Sequence, residues 1–222
     1  MYASSAILAA LRQAERTGEG QHVDVALFDC QIAMLANQAS NYLVSGKAPG
    51  RLGNAHPNIA PYQVFVTADG HIVVAVGNDG QFQSFVRAIG LPTLANDDRY
   101  RTNRGRVANR EALIAGIAPA MRARTTREWL AAMEGAGVPA GPINTVDQVF
   151  AEPQAAARAM TARIAREDAG AATMVVHPVK YSKTPAVADL PPPRLGSHTD
   201  EVLALFADAA ELARLREKGV VG

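Results

Sequence analysis

The first fifty residues place two stretches of helical spacing around one extended apolar run. Apolar residues recur every three or four positions over residues 2–12, which predicts a helix, and residues 21–28 predict a strand. A second helix is predicted from Asp29, as its N-cap, to about residue 43. A parallel strand needs neighbours on both edges, so we expect the remaining strands of this sheet to lie upstream of Met1.

Two β-branched runs later in the chain predict a β-hairpin. Tyr62–Val66 and Ile72–Val76 are separated by a short segment that contains Asp69 and Gly70. The Asp-Gly pair is typical of tight hairpin turns, because the glycine supplies a positive φ there. We therefore expect an antiparallel strand pair with Gly70 in the left-handed region.

The rest of the chain alternates between helical spacing and turn residues, with a proline-rich stretch near its end. Thr125 and Glu128 form a predicted capping box for the helix that carries Trp129. Thr199 is the predicted N-cap of a later helix. Prolines make residues 184–194 an extended tether. The other predicted elements are helices over about 79–89, 103–122, 145–149 and 209–218, and strands over about 162–165 and 174–179.

Composition limits the function classes that the sequence supports. The 222 residues carry a net charge of +1 and are 48% hydrophobic, so charge gives no reason to expect a nucleic-acid or membrane-surface partner. Cys30 is the only cysteine, which excludes an intramolecular disulfide and a thiolate metal cluster and suits a reducing compartment. No apolar run approaches the roughly 20 residues that span a bilayer. We expect a cytoplasmic protein without a metal site.

Residues 50–58 combine glycines with polar side chains in a segment without helical or strand periodicity. Glycines allow backbone N–H groups to approach a ligand, and Asn54, His56 and Asn58 add side-chain donors. This composition suits a small anionic ligand such as a carboxylate, or a thioester oxygen. The alternative is a structural turn between domains, in which His56 is a polar residue with its hydrogen bonds satisfied. The location between two domains favours a ligand site.

The other candidate side chains favour structural roles. Asp24 lies within the predicted strand, and Asp29 has the position of an N-cap. His198 precedes a predicted helix, where we expect it to fix the end of the tether. Three further histidines are isolated on strand-like segments without metal-ligand spacing: His22, His71 and His177.

Four segments, in this order, resemble the class III CoA-transferases, the family of the formyl-CoA and carnitine CoA-transferases. The match spans nearly the whole chain. The residues around His56 and Tyr62 are most similar to the branch that moves CoA between dicarboxylic acids such as succinate and glutarate. The matching segments are residues 9–29, 53–62, 137–144 and 193–199.

The resemblance implies an α/β fold with two domains in each subunit and two subunits interlocked in a homodimer. A Rossmann-like large domain would be built from both chain ends, with a smaller α+β domain inserted between them. Residues 1–48 would then be an incomplete remnant of the large domain, and 49–60 a linker with the active-site loop. Residues 61–183 would form the small domain, and 184–222 the tether and helices that return to the large domain.

The resemblance also implies the chemistry. An aspartate attacks an acyl-CoA thioester, the released CoA converts the resulting anhydride to an aspartyl-CoA thioester, and a small carboxylic acid attacks that thioester. CoA is thus carried as a substrate, with no tightly bound cofactor. The glycine-containing loop covers the intermediate. Its implied substrate-binding residues are Gly53, Asn54, His56, Pro57 and Asn58.

The sequence departs from the family at the nucleophile. The family aspartate is expected a few residues upstream of Met1, and no carboxylate in this chain matches its place. We therefore assign no catalytic residue here and expect the chain alone to lack turnover. Two alternatives remain open: an α-methylacyl-CoA racemase on the same scaffold, or a non-catalytic domain retained for association. The sequence leaves the donor and acceptor acids unidentified.

Overall fold

The structure consists of two compact units. The computed structural model describes residues 1–166, 170–186 and 190–221. One unit spans Met1–Ile143 and the other Asn144–Gly222. Both contain helices and strands, so the mixed α/β class predicted from the sequence is confirmed. The division of the chain into four segments remains a prediction.

The first unit contains a three-stranded antiparallel sheet. Its strands lie side by side in the same order as in the sequence. The same unit also contains seven α-helices and a short 3₁₀ helix among its described residues. In chain order the elements are α1 Tyr2–Thr17, α2 Leu27–Met34, α3 Asn37–Ser45, β1 Tyr62–Val66, β2 His71–Ala75, α4 Asp79–Ala88, the 3₁₀ helix Pro92–Asn96, α5 Asn103–Ala108, α6 Arg110–Met121, α7 Thr126–Gly135 and β3 Ala140–Pro142.

The predicted hairpin is confirmed, but its turn is held differently from the expectation. β1 and β2 pair in register from Tyr62 opposite Ala75 to Val66 opposite His71. The prediction of a positive φ at Gly70 is wrong, since Gly70 is not among the residues with positive φ. The Gly70 N–H instead donates to the hydroxyl of Thr67 at 3.0 Å. A side-chain acceptor thus closes the turn without a left-handed residue.

The core of this unit lies between the sheet and helices α4 to α7. Thr125 and Glu128 form the predicted capping box at the start of α7. The indole N–H of Trp129 donates to the Met121 carbonyl at 2.7 Å, which satisfies the one polar atom of a fully buried ring. The predicted helix over 103–122 is divided at Asn109. The buried hydrophobic cluster consists of Phe65, Ile72, Val74, Val76, Phe82, Phe85, Val86, Ile89, Tyr100, Leu113, Ile117, Met121, Trp129, Met133 and Val138.

The first fifty residues contain helices in both predicted helical stretches but no strand. The single helix predicted from Asp29 to about residue 43 is divided at residues 35–36, where Ala36 has a φ of 48°. Residues 21–26 belong to neither a helix nor a strand, so the predicted strand over 21–28 is wrong. A strand is stabilised by hydrogen bonds to a neighbour, and no other part of the described chain pairs with this segment. Ala26 is the N-cap of α2 and Asp29 lies in its first turn, so the prediction of Asp29 as N-cap is also wrong.

The second unit contains a two-stranded antiparallel hairpin and four short helices among its described residues. The second strand lies earlier than the predicted 174–179. The prediction of Thr199 as an N-cap is wrong, because His198 occupies that position and makes no side-chain cap. The elements are α8 Val146–Ala151, α9 Pro153–Ala157, β4 Thr161–Arg166, β5 Gly170–Val175, α10 Thr199–Leu203 and α11 Ala209–Glu217.

The predicted proline-rich tether over 184–194 falls only partly within the described chain. Residues 184–186 and 190–194 are neither helical nor in strands, and the extended tether remains a prediction. Residues 187–189 lie outside the described residues. Among the helices in the described ranges, none is both long and apolar enough to span a membrane.

Asp69 gives the hairpin turn a pH-dependent attachment to α7. Its carboxylate accepts hydrogen bonds from the Thr126 backbone N–H at 2.7 Å, the Thr126 hydroxyl at 3.0 Å and the Thr67 hydroxyl at 3.2 Å. The Thr126 backbone bond is the largest cause of a lowered pKa at Asp69, and burial opposes it. Stabilisation by this group is therefore present above its unfolded pKa of about 3.9 and is lost as the pH falls through its lower folded pKa.

We predict that Asp69→Asn is less stable than the wild type at pH 6, and that the difference shrinks as the pH falls below about 4. Urea denaturation followed by Trp129 fluorescence at several pH values measures it. Asp98→Asn is the control for loss of an exposed carboxylate outside this cluster. A difference that stays constant from pH 6 to pH 3 would contradict the assignment.

Candidate functional site

The glycine loop, Gly50–Asn58, connects α3 to the start of the sheet and has a fixed backbone. Gly53 adopts φ 59°, in the left-handed region that favours glycine. The side-chain oxygen of Asn54 accepts the Val64 backbone N–H at 2.9 Å, which attaches the loop to β1. Asn54 thus uses its oxygen for structure.

His56 is held in one orientation by three contacts. Its ring stacks on Tyr62 with 5.3 Å between centroids and 10° between planes, and its backbone N–H donates to the Tyr62 carbonyl at 2.9 Å. Its Nδ1 accepts the Asn58 backbone N–H at 3.1 Å. In the neutral imidazole the proton therefore belongs on Nε2. No atom of the described residues pairs with that nitrogen, so the ring offers one oriented donor.

Side chains of α5 and α6 donate hydrogen bonds to the backbone carbonyls of the loop. The Asn103 amide donates to the Asn58 carbonyl at 2.8 Å and accepts the Ala60 N–H at 3.2 Å. Nη2 of Arg110 donates to the carbonyls of His56 at 2.7 Å and Pro57 at 3.0 Å. The loop is therefore fastened to these helices through its backbone.

Arg106 forms the innermost anchor. Its side chain has 0% exposure and lies over the Phe82 ring, 4.5 Å from the centroid. Nε donates to the Ala60 carbonyl at 2.7 Å, Nη1 to the Tyr100 carbonyl at 3.0 Å, and Nη2 to Asp79 at 2.8 Å. Burial of this cation is tolerated because each donor group has an acceptor, one of them charged.

A second attachment joins the loop to α3. The side-chain amides of Asn41 and Asn58 exchange two hydrogen bonds, of 3.2 and 3.0 Å. Asn58 therefore uses its side chain for α3, its carbonyl for Asn103 and its N–H for His56. Asn58 thus joins the loop to α3 and α5 and also contacts His56 within the loop.

A surface cavity of about 460 Å³ lies beside the loop. Arg110 is the side chain that both lines the cavity and holds the loop carbonyls. Partial burial lowers the pKa of its guanidinium below the usual value. The lining residues are Leu52, Gly53, Asn54, Ala55, Gln63, Val64, Arg110, Glu111 and Ile114.

The structure divides the five predicted substrate-binding residues. Gly53 and Asn54 line the cavity, whereas His56, Pro57 and Asn58 do not. Of the predicted side-chain donors, the Asn58 amide is bonded to Asn41, and His56 keeps Nε2 as its one unoccupied ring nitrogen among the described residues. Binding of substrate by these five residues remains a prediction.

Three supporting residues were missed by the sequence analysis: Asn103, Arg106 and Arg110. They are 43 to 54 positions away from their loop partners, so local patterns give no pairing signal. A signal does exist in their spacing. Arg106 and Arg110 continue the stripe of Leu113 and Ile117 at intervals of four, three and four, which places two cations on a buried face.

The remaining candidates do not form a second centre. Asp24 and Asp29 are exposed. The His198 ring contacts the Ser197 hydroxyl at 3.2 Å, and Nδ1 of His177 accepts the Val179 N–H at 3.2 Å. Within the described ranges, no three His, Cys, Asp or Glu side chains are grouped as metal ligands would be.

Comparison with known proteins adds sequence relatives. Residues 1–199 match the sequence model described as CoA-transferase family III. The chain is 48% identical over 204 residues to succinate–glutarate CoA-transferase of Agrobacterium fabrum, covering 92% of this chain and 51% of that protein. It is 40% identical over 223 residues to human succinyl-CoA:glutarate CoA-transferase, covering 100% of this chain and 51% of the human protein. The chain thus spans about half the length of these relatives.

Solved structures agree with the sequence relatives. A CAIB/BAIF family protein from Brucella suis matches with a TM-score of 0.72 and 45% identity, over 93% of this chain and 53% of that chain. Rv3272 from M. tuberculosis matches with a TM-score of 0.73 and 30% identity, over 92% of this chain and 52% of that one.

We predict that Arg106→Met lowers the free energy of unfolding of the first unit by about 2–5 kcal/mol, because two buried carbonyls and Asp79 lose their donor. Arg106→Lys is expected to recover only part of the lost free energy of unfolding, since one ammonium group cannot donate in the three directions of a planar guanidinium. Trp129, the only tryptophan, reports the unfolding. The exposed Arg104 on the same helix supplies the control Arg104→Met, expected within about 0.5 kcal/mol of wild type. Equal effects of the two methionine variants would refute the anchor role.

Proposed function

This chain belongs to the class III CoA-transferases, and from that membership we propose that it forms part of a homodimeric enzyme that moves CoA between an acyl-CoA and a small dicarboxylic acid. The support for dicarboxylic substrates is the names of its relatives, which contain succinate and glutarate. The activity is a proposal for the whole enzyme, because the chain spans about half the length of those relatives.

The observation that carries the proposal is the oriented imidazole of His56. Its Nδ1 is occupied by the Asn58 N–H, and the ring plane is fixed on Tyr62. The remaining Nε2–H suits a carboxylate of the acceptor acid or the oxygen of a thioester. A hydrogen bond to a charged group contributes about 1.5–3 kcal/mol, and it contributes most when the donor is oriented in advance.

The proposed reaction passes through an aspartyl intermediate. An aspartate oxygen attacks the acyl-CoA carbonyl and CoA leaves as a thiolate, which gives a mixed anhydride. The thiolate attacks the aspartyl carbonyl, and the donor acid leaves with the bridging oxygen. The acceptor carboxylate then attacks the aspartyl-CoA thioester, which expels the CoA thiolate and gives a second mixed anhydride. The thiolate attacks the acceptor carbonyl of that anhydride, which forms the new acyl-CoA and releases the aspartate.

We propose that the aspartate comes from the part of the enzyme that the relatives contain and this chain does not span. The reason is that no carboxylate of this chain matches the family position. The chain would then contribute the glycine loop and its supports. A carboxylate is suited to this reaction because its anhydride remains reactive enough for every exchange to be reversible.

The test joins this chain to the part of the Agrobacterium relative that it does not span. With succinyl-CoA and glutarate, we expect glutaryl-CoA and, by mass spectrometry, CoA attached to an aspartate. The chain alone is expected to form no product. A folded chimera that introduces solvent deuterium next to the thioester without moving CoA would overturn transfer in favour of a racemase. A folded, dimeric 222-residue chain without affinity for CoA would instead favour an association domain.

In the active chimera, we predict that His56→Ala raises the KM for the acceptor acid by about tenfold or more, since it removes one hydrogen bond to a charged group. We expect a much smaller change in the affinity for CoA. His71→Ala is the control, because His71 is an exposed histidine at the start of β2, away from the loop. Unchanged acceptor kinetics in His56→Ala would exclude this role.

A further inference from the structure

The peptide group between Pro57 and Asn58 has a hydrogen-bonded partner on each side. Its carbonyl accepts from Nη2 of Arg110 at 3.0 Å. Its N–H donates to Nδ1 of His56 at 3.1 Å. The peptide is trans, since the one cis bond in the described chain is Ala60–Pro61. In a planar trans peptide the C=O and N–H point in opposite directions, so fixing one also fixes the other.

We infer that Arg110 is a positioning residue that acts through this peptide to keep the His56 proton on Nε2. The inference rests on the proposed role of His56 as a donor to substrate oxygen. Among the described residues, Arg110 makes no hydrogen bond or cation–π contact with the imidazole; its bonds go to the backbone carbonyls. It draws the Pro57 carbonyl towards α6, and the Asn58 N–H consequently faces Nδ1.

The other supports of the loop do not set this orientation directly. Asn103 holds the Asn58 carbonyl, which belongs to the next peptide, and Asn41 holds the Asn58 side chain. Arg110 also donates to the His56 carbonyl at 2.7 Å, so the peptide on the other side of Pro57 is fixed by the same nitrogen. A guanidinium on the carbonyl polarises the peptide and strengthens its N–H as a donor.

The orientation of this peptide decides whether Nε2 of His56 is a hydrogen-bond donor or an acceptor. With the Asn58 N–H on Nδ1, the neutral ring carries its proton on Nε2 and can donate to a carboxylate. If the peptide turns away, the tautomer with the proton on Nδ1 becomes accessible. In that form Nε2 is an acceptor, and its lone pair would repel the lone pairs of a carboxylate. No covalent step is involved, and one proton changes position on the ring.

The position of the proton is measurable by long-range ¹H–¹⁵N correlation spectra of the 222-residue chain labelled at histidine, recorded at a pH where the ring is neutral. His56→Gln identifies the His56 signals. We expect the wild type to show the pattern of a proton on Nε2. In Arg110→Gln the fraction with the proton on Nδ1 should rise by about 2- to 10-fold, as for the loss of one ordinary hydrogen bond.

Two variants separate positioning from general loosening. Arg110→Lys retains a cation that can donate to the Pro57 carbonyl and should restore most of the wild-type pattern. Arg104→Gln changes an exposed arginine on α5 and should leave the His56 pattern unchanged. Trp129 fluorescence verifies that each variant is folded. An unchanged His56 pattern in folded Arg110→Gln would overturn the inference.

A measurement on the wild type can still overturn the inference if Arg110→Gln does not fold. A scalar coupling across the hydrogen bond between the Asn58 nitrogen and Nδ1 of His56 is expected, and its absence would overturn the inference. These spectra are independent of turnover. Failure of His56→Ala to affect the acceptor would remove the proposed function and leave the tautomer result standing, whereas an unchanged tautomer would remove only the role of Arg110.

Discussion

A guanidinium without solvent exposure must find an acceptor for its donors, and Arg106 finds them in three separate segments. It binds the carbonyl of Ala60 at the end of the loop connection, the carbonyl of Tyr100 before α5, and the carboxylate of Asp79 at the start of α4. Each bond compensates part of the desolvation of the cation, so the loss of any one of them would destabilise the fold. The relative positions of the loop, α4 and α5 follow from this requirement.

The candidate site is an outer layer built on that anchor. Asn103 and Arg110 are on the same side of the helices as Arg106, and they hold the loop by its carbonyls. With these carbonyls held by Asn103 and Arg110, the backbone N–H of Asn58 orients the imidazole of His56. Of the three side-chain donors suggested by the sequence, His56 keeps an oriented one, whereas the Asn58 amide is bonded to Asn41 and the Asn54 oxygen to β1.

Local features of the fold could be predicted from the sequence, and contacts between distant residues could not. The helix spacing, the hairpin and the Thr125 capping box depend on residues that are close in the chain. The strand over 21–28 failed because a strand depends on partners that its own residues do not reveal. The loop was identified by composition, but its supports were not, since Arg106 and Arg110 were passed over as helix residues although they interrupt a buried apolar stripe.

The hydrogen bonds that attach the loop to α5 and α6 are stronger than those that attach it to α3. Towards α5 and α6 it is held by charged guanidinium groups, whose hydrogen bonds contribute about 1.5–3 kcal/mol each. Towards α3 it is held by the neutral Asn41–Asn58 amide pair, whose bonds contribute about 1 kcal/mol each. If α3 moved, the Asn41–Asn58 bonds would break before those of Arg110, and His56 would remain held beside α6 and β1.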